Sequence, residues 1–257
     1  MPITVQSAPR EVIYDKGTNW LAQLGFFVLS TDLVMEDNIA RLAPYGVGTS
    51  VTRLTMPREC NIATLAVQIN EMRHAASIIQ PDAHPDVVCY ACTSGSIVIG
   101  EDKVMSEIKR AAPWAKPSTL VTGVINALHR LDVHKIVVAI PYLDEINSVE
   151  ADFLRDKGFD VLDIQGLNID DCEAMGRITR SFIRDFALSI DQEDADAIFV
   201  SCGGIRTIDV IQEIENSAGK PVICYTQAMM WDCLRQAGID DAIDGFGQLF
   251  HLDLGNG

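Results

Sequence analysis

Two cysteines of this 257-residue chain lie in loops whose composition suits acid–base or nucleophilic chemistry. Cys92 stands in the run Ala-Cys-Thr-Ser-Gly-Ser, and Cys202 stands in the run Ser-Cys-Gly-Gly-Ile-Arg-Thr. Each run follows a short apolar segment typical of a buried strand and precedes a segment of helical periodicity. Because the positive end of a helix favours a thiolate, this placement predicts a lowered thiol pKa and a usable base or nucleophile.

The neighbours of both thiols are small or carry hydroxyl groups. Gly203 and Gly204 would let a carboxylate approach the backbone, and N–H groups at helix starts bind anions. Hydroxyl donors accompany both cysteines: Thr93, Ser94, Ser96 and Thr207. The two loops therefore predict a carboxylate site with one thiol from each. Inert packing, the commoner role of a buried cysteine, is our interpretation of four others: Cys89, Cys172, Cys224 and Cys233.

Other motifs that could carry chemistry are weak. Cys89 and Cys92 have the spacing of a redox pair, but Cys89 lies inside a predicted strand. Gly46 and Gly48 lack the third glycine and the preceding strand of a dinucleotide-binding loop. The five histidines show no metal-ligand spacing, and no Gly-x-Ser-x-Gly run is present. We therefore expect neither a metal nor an organic cofactor.

Alternating strands and helices must position these loops. Short, nearly continuous apolar runs predict strands buried on both faces at residues 24–29, 87–91, 135–140, 160–164, 197–201 and 221–225. Segments of helical period separate them at residues 62–79, 102–111, 122–131, 144–157, 171–189, 208–217 and 228–237. Gly158 and Gly238 stand where helix C-terminal caps belong. This alternation predicts an α/β protein with mainly parallel sheets.

An internal repeat appears when the chain is aligned with itself so that Cys92 falls on Cys202. In this self-alignment residues 87–92, a strand and its cysteine, fall on residues 197–202, and the strand 24–29 falls on 134–139. The alternative is that any two β–α–β units resemble each other in a well-chosen alignment. The repeat predicts two similar Rossmann-like halves related by a pseudo-two-fold axis. We assign residues 1–118 with 226–257 to the first half and 119–225 to the second.

The predicted site lies in the cleft between the halves, because ligands of open parallel sheets bind beyond the carboxyl ends of the strands. Asp32 and Tyr142 fall at such ends, and the same self-alignment places one on the other. We predict that both line the cleft, with the Tyr142 phenol donating to a substrate carboxylate. The alternatives are that Asp32 caps the helix beginning near Leu33 and that the Tyr142 ring covers the sheet edge.

The excess of acidic residues argues against two kinds of partner. The 36 acidic residues against 20 basic ones give a net charge of −16, which disfavours nucleic acid and anionic membrane surfaces. No apolar run is long enough to span a membrane, and no signal peptide is evident at the N-terminus. Seven cysteines without framework spacing are typical of reduced thiols, so we expect a cytoplasmic protein. The sequence allows a homo-oligomer.

Several of these motifs resemble one superfamily over nearly the whole chain. The paired halves, with Cys-Thr-Ser after one strand and Ser-Cys-Gly-Gly after its mate, are similar to the aspartate/glutamate racemase superfamily. The similarity is greatest to its maleate cis–trans isomerase, arylmalonate decarboxylase and ectoine-utilisation (EutA) branch. The motifs that carry this resemblance are residues 88–93, Pro141-Tyr142-Leu143, Ser201-Cys202-Gly203-Gly204, Thr207-Ile208-Asp209, and Thr226-Gln227-Ala228 with Trp231.

The resemblance implies a role for each matching position. Substrate carboxylate and its enediolate-like form would be held by Thr93, Ser94, Tyr142, Gly203 and Gly204. Cys202 matches the cysteine shared by all three groups. Cys92 matches the second cysteine of isomerases and racemases, where the decarboxylases have glycine. Maleate isomerases have asparagine at the position of Asp32. An aspartate at this position suits a substrate with an amino or amide group.

Two thiols facing one carbon support two reactions. In racemisation, one thiolate removes the α-proton and the opposite thiol returns another. In cis–trans isomerisation, one thiolate adds to a double bond, the resulting single bond rotates, and elimination follows. The resemblance implies an isomerase, either maleate isomerase-like or a racemase of an amino-acid derivative, with a place in ectoine catabolism as one setting. An arylmalonate-type decarboxylase and a non-catalytic small-carboxylate-binding accessory protein are the alternatives.

Overall fold

The strands form two parallel four-stranded sheets in a computed structural model that describes residues 7–82 and 84–255. The first sheet has the order β2-β1-β3-β4, and the second has the order β6-β5-β7-β8. The strands are β1 Ala22–Leu29, β2 Val47–Leu54, β3 Val87–Tyr90, β4 Lys116–Thr119, β5 Lys135–Ile140, β6 Asp160–Gly166, β7 Ala197–Val200 and β8 Val222–Cys224. Every described strand pair is parallel.

Helices cover these sheets and connect their strands. Among the described residues they are α1 Met35–Leu42, α2 Ile62–Ala66, α3 Ile69–Ile78, α4 Thr93–Ile99, α5 Glu101–Ala111, α6 Leu120–Arg130, α7 Asp144–Asp156, α8 Cys172–Met175, α9 Arg180–Ser189, α10 Ile211–Ala218 and α11 Tyr225–Gln236. Two short 3₁₀ turns are also described, one before α10 at Thr207–Asp209 and one after α11 at Gln248–His251. No helix in the described part of the chain is long and apolar enough to cross a membrane.

The predicted internal repeat is confirmed by the topology of the two sheets. Adding four to each strand number of the first sheet gives the order of the second sheet, so β1 corresponds to β5 and β3 corresponds to β7. Strand β3 falls exactly on strand β7 in the self-alignment that defined the repeat. Both are central strands whose residues are all buried, which explains their continuous apolar sequence. The carboxyl end of each central strand delivers one of the two cysteine loops.

The predicted helix ends at Gly158 and Gly238 are confirmed. Both glycines have a left-handed backbone, with φ of 95° and 81°. After α7, the Gly158 N–H donates to the Arg155 carbonyl oxygen, and the next N–H donates to the Leu154 carbonyl oxygen. The same two bonds recur after α11. These are Schellman caps, in which glycine avoids the steric cost of a positive φ.

Two long predicted helices are each broken in the structure. The predicted helix 62–79 is two helices, α2 and α3, and the predicted helix 171–189 is α8 and α9. The second break contains Gly176, and α9 restarts where the Thr179 hydroxyl oxygen accepts from the Phe182 N–H at 3.3 Å. Helical periodicity continues across both breaks because the separate helices pack their apolar sides on the same core. The break before α9 lets α8 turn towards the other half.

Strands β2 and β4 were not predicted. Strand β2 carries the polar sequence Val-Gly-Thr-Ser-Val-Thr-Arg-Leu and is only partly buried, so its hydrophobic signal is weak. Strand β4 is short and contains Pro117. Both are edge strands, each paired on one side only. Edge positions tolerate proline and polar side chains, which removes the sequence signals used to recognise buried strands.

Candidate active site between the two halves

All eight residues predicted for the site line one cavity where the carboxyl ends of both sheets meet. They are Asp32, Cys92, Thr93, Ser94, Tyr142, Cys202, Gly203 and Gly204. The first four come from the loops after β1 and β3, and the last four come from the loops after β5 and β7. The cavity therefore takes equivalent positions from each half, as a two-fold repeat would place them.

Cys92 is the N-cap residue of helix α4. Its sulfur accepts a hydrogen bond from the Gly95 backbone N–H at 3.3 Å. The neighbouring Tyr90 hydroxyl donates to Gln68 Oε1. The Gly95 bond favours the thiolate, but the side chain is buried, and desolvation outweighs this bond. The result is a pKa for Cys92 that burial raises to about 12.

Cys202 has a strained backbone, with a φ of 88° in a non-glycine residue. This conformation turns the chain sharply after β7. The neighbouring Tyr142 hydroxyl and Gly204 N–H both lower the pKa of Cys202. Burial is again the larger effect, so the pKa of Cys202 lies well above the ordinary thiol value.

The predicted lowering of the two thiol pKa values is therefore wrong for the unliganded protein. The prediction assumed that a helix start would dominate. Helix α4 is only seven residues long, and the Cys202 loop is followed by a 3₁₀ turn of three residues. Neither offers enough aligned peptide dipoles to offset the loss of water around a buried thiolate.

Three hydroxyl groups in the cavity have no hydrogen-bond partner among the described residues. They belong to Thr31, Thr93 and Ser94, and all three oxygen atoms are buried. An unpaired buried hydroxyl is costly, so native proteins rarely keep one without a partner such as a ligand or water. These groups form a donor cluster beside Cys92 that suits a carboxylate. Thr31 was missed from the sequence because the predicted donors were sought only beside the cysteines.

Asp32 serves both of the roles considered for it. Its Oδ1 accepts from the backbone N–H groups of Val34 and Met35 at 2.8 and 2.7 Å, which caps the start of α1. Its Oδ2 lies 3.6 Å from the position that a Cβ on Gly204 would occupy, so this oxygen faces the cavity. Burial raises the pKa of Asp32 against the opposing effect of the two backbone bonds.

Gly203 packs closely against side chains of two helices, and its backbone angle is an ordinary one. A Cβ at this position would lie 2.6 Å from Met35 Cε and 3.1 Å from Leu120 Cδ1. The Thr226 hydroxyl, on helix α11, donates to the Gly203 carbonyl oxygen at 3.4 Å and so connects the Cys202 loop to that helix. The close packing holds the Cys202 loop against both α1 of the first half and α6.

Sequence reasoning missed two further cysteines at this cavity. Cys60 and Cys172 line it together with Leu29, Ala91 and Met175. Cys172 had been interpreted as inert packing. Neither cysteine follows a buried strand directly, so the signal that identified Cys92 and Cys202 is absent. No arginine, lysine or histidine occurs among the described lining residues, so an anion must be held by neutral donors.

No metal centre is indicated at the cavity. Within residues 7–82 and 84–255, no three His, Cys, Asp or Glu side chains are grouped to hold a metal ion.

The fold and the cavity define a class of α/β protein in which two similar halves each place a thiol on one wall of the cleft between them. A sequence model of the arylmalonate decarboxylase family matches residues 65–250, and the chain belongs to this family. It is 35% identical over 144 residues to the arylmalonate decarboxylase of Bordetella bronchiseptica. That alignment covers 55% of this chain and 60% of the Bordetella protein.

Maleate isomerases match over more of their length. The Nocardia farcinica enzyme is 23% identical over 245 residues, covering 91% of this chain and 97% of that protein. A solved structure of its cysteine-to-serine variant holds a covalently bound succinylcysteine intermediate and superposes with a TM-score of 0.82. A variant of the Pseudomonas putida S16 maleate isomerase, solved with maleate, is 23% identical and covers 89% of this chain and 97% of its own, also with a TM-score of 0.82. These structures confirm the predicted fold.

Proposed function

We propose that the protein is a cofactor-independent isomerase of a small carboxylate that uses Cys92 and Cys202 as its two catalytic thiols. One observation carries the proposal: thiols from equivalent loops of the two halves open into the same buried cavity. A site with one thiol on each side can act on both faces of a planar substrate or intermediate. An inert packing cysteine has no reason to recur at the same place in both halves.

The substrate carboxylate is assigned to the donor cluster beside Cys92. The unpaired hydroxyls of Thr31, Thr93 and Ser94 would satisfy its oxygen atoms. Tyr142 would donate from the opposite wall. Such donors cost no reorganisation during the reaction, since the protein already holds them in place, and they stabilise the negative charge that develops on an enediolate. Gly204 leaves room for the substrate to approach the backbone between Asp32 and Cys202, and Gly203 lines the same cavity.

Addition and elimination is the version of the chemistry that a relative supports. In it, a cysteine thiolate adds to one alkene carbon and the π electrons move into the enediolate. The carbon–carbon bond, now single, rotates, and loss of the same thiolate gives the other geometric isomer. The succinylcysteine intermediate in the Nocardia farcinica variant is the adduct that such an addition leaves once the second carbon is protonated. The opposite thiol is the group placed to supply that proton.

Racemisation of an amino-acid derivative uses the same two thiols differently. One thiolate removes the α-proton, the donor cluster holds the enediolate, and the opposite thiol delivers a proton to the other face. Asp32 favours this version, because its cavity-facing carboxyl oxygen can accept from an amino or amide group. The racemase and isomerase versions differ in substrate and share every residue assigned so far.

Decarboxylation is the second candidate function, favoured by the family match and by the 35% identity to the Bordetella bronchiseptica enzyme. It requires one thiol to protonate an enediolate after loss of carbon dioxide. Cys92 would then have no chemical step to perform. A non-catalytic small-carboxylate binder is a further alternative. A place in ectoine catabolism, a cytoplasmic location and a homo-oligomeric state stay predictions from the sequence.

Incubation in D₂O with a panel of small carboxylates separates these functions. Proton NMR would follow maleate, N-acylated amino acids and an arylmalonate with wild-type protein that has been dialysed against a chelator. We expect fumarate from maleate, or deuterium at the α-carbon of an amino-acid derivative. Carbon dioxide release from the arylmalonate alone would favour the decarboxylase, and absence of any turnover would favour the binder.

A further inference from the structure

A second pair of thiols lies at the wall of the same cavity and has no part in the proposed reaction. Cys60 follows β2 in a loop of the first half, and Cys172 begins α8 on the chain segment after β6. The two thiols are close enough that each is the largest influence on the pKa of the other. Cys60 is buried and Cys172 is partly exposed, and both face the cavity.

The backbone around this pair connects the two halves. The Cys60 N–H donates to the Asp170 carbonyl oxygen at 3.1 Å, and the Cys172 N–H donates to the Arg58 carbonyl oxygen at 3.4 Å. The Arg58 guanidinium also pairs with the Asp171 carboxylate, with a Nε to Oδ2 distance of 2.9 Å. We call residues 58–60 with 170–172 the cross-half bridge. The bridge holds the two sulfur atoms side by side although they belong to distant parts of the chain.

Cys172 is the more reactive thiol of the pair. Proximity to Cys60 is the largest influence on the pKa of Cys172 and lowers it, against the opposing effect of burial. The same proximity raises the pKa of Cys60, which keeps its proton. Because the thiolate is the form that attacks a disulfide, Cys172 should react first, and it has the solvent access to do so.

We propose that Cys60 and Cys172 form a redox modification site, which a low-molecular-weight disulfide converts into a protein disulfide across the two halves. The Cys172 thiolate attacks one sulfur of the reagent and displaces one thiolate, leaving a mixed disulfide on Cys172. The Cys60 sulfur then loses its proton and attacks the Cys172 sulfur, displacing the second small thiolate, which takes up a proton. The two protein thiols lose two electrons in total, and the reagent is reduced to two thiols.

Cys89 and Cys233 provide a matched pair within the same molecule. Cys89 is likewise the largest influence on the pKa of Cys233, but both cysteines are fully buried in the core, on β3 and α11. Burial raises the pKa of Cys233 further above its ordinary value. If contact between thiols were enough, both pairs would oxidise. If the cavity and the lowered pKa of Cys172 matter, only the pair at the cross-half bridge will.

The test is a non-reducing peptide map of the folded wild-type chain after treatment with glutathione disulfide. Free thiols are then blocked with N-ethylmaleimide, and trypsin releases peptides 59–73 and 158–177, each with a single cysteine. We expect these two peptides to be linked while Cys89 and Cys233 carry the blocking group. Dithiothreitol should restore the unlinked peptides.

Two variants make the order of the steps visible. Cys60→Ser should stop at a glutathione mixed disulfide on Cys172, and Cys172→Ser should leave Cys60 unmodified. Absence of the linked peptides in the folded wild-type chain would overturn the proposal, as would a link from Cys172 to Cys92 or Cys202. Since the map needs no substrate, its outcome is independent of whether the proposed isomerase activity is found.

Discussion

Tyr142 lines the cavity together with Cys202. It lies two residues after β5, its backbone carbonyl accepts from Asn147 Nδ2 at 3.2 Å, and its hydroxyl is close enough to Cys202 to lower the pKa of that thiol. The ring is 6% exposed, so it also packs against the core. Packing and donation were alternative interpretations of the sequence, and the geometry is compatible with both. The two interpretations differ only in whether the hydroxyl has a role, so a variant that lacks the hydroxyl distinguishes them.

Tyr142→Phe should lower kcat by about 10²–10³, because it keeps the ring and removes one donor to the developing enediolate. Steady-state kinetics with the substrate identified by the D₂O panel would measure the effect. Tyr45→Phe is the matched control, since Tyr45 is exposed and outside the cavity. A rate within about threefold of wild type for Tyr142→Phe would remove this residue from the anion site.

Asp32→Asn separates the two functions of this carboxylate. The amide oxygen of asparagine can still accept from Val34 and Met35, so the cap on α1 is kept. The amide nitrogen would replace the charged oxygen that faces Gly204, which removes repulsion of a second substrate carboxylate. We expect higher kcat/KM for maleate with a melting temperature close to wild type.

Asp32→Ala is the comparison variant because it removes both functions. Loss of the cap should cost about 1 kcal/mol of unfolding free energy. If Asp32→Asn leaves the preference between maleate and amino-acid derivatives unchanged while Asp32→Ala lowers the melting temperature, Asp32 acts as a cap alone.

At the scale of elements, helix α7 buries a carboxyl group against the second sheet. Glu150 is fully buried and accepts from the Tyr225 hydroxyl at 3.0 Å. Desolvation raises the pKa of Glu150 to about 7, against an ordinary value of 4.5. In the folded chain this group therefore keeps its proton over a pH range in which the unfolded chain has lost it.

The consequence is a loss of stability as pH rises. Below pH 4.5 Glu150 is protonated in both states, and between pH 4.5 and 7 the folded state binds more protons than the unfolded state, so the unfolding free energy falls. The total is on the order of 3 kcal/mol for this shift. Glu150→Gln should remove this contribution. Urea unfolding at pH 5 and pH 8 should show a smaller loss in the variant, and equal losses in both proteins would contradict the account.

The four central strands and the edge strands β6 and β8 could be predicted from the sequence, and the edge strands β2 and β4 could not. The central strands β1, β3, β5 and β7 have long or fully apolar runs, because each is covered by helices on both sides. Edge strands β2 and β4 carry threonine, serine and proline, which their solvent-facing positions tolerate. Helix breaks were missed because the apolar period continues through them.

At the scale of the whole molecule, the repeat explains how much of the cavity could be predicted. Parallel sheets bring the residues after their central strands together, so aligning the chain with itself was enough to place Cys92 opposite Cys202. The cross-half bridge brings Cys60 beside Cys172 through loop contacts between the halves. Such contacts leave no periodic pattern in the sequence, which is why this pair was missed. The thiol pKa values could not be predicted either, because they depend on how completely the assembled halves exclude water.

Exclusion of water from the cleft also sets the pH dependence of the reaction. The thiols of Cys92 and Cys202, which we propose to be catalytic, are protonated at neutral pH, since burial raises both pKa values. The reactive thiolate is a minor form whose fraction grows with pH. We expect kcat/KM to rise from pH 7 to pH 9 by close to tenfold per pH unit, and Cys172→Ser to show the same slope. A plateau reached by pH 7.5 would mean that a thiolate already exists in the free protein.

The central claim is that the reaction needs both Cys92 and Cys202. Its most direct test is the turnover of Cys92→Ser and Cys202→Ser, each measured against wild type with the same substrate, with Cys224→Ser as a buried cysteine outside the cavity. A serine hydroxyl is a far poorer base and nucleophile near pH 7, so each catalytic variant should lose several orders of magnitude in kcat while keeping its fold. Near-full activity in Cys92→Ser together with an inactive Cys202→Ser would contradict the two-thiol account and favour a one-thiol decarboxylase.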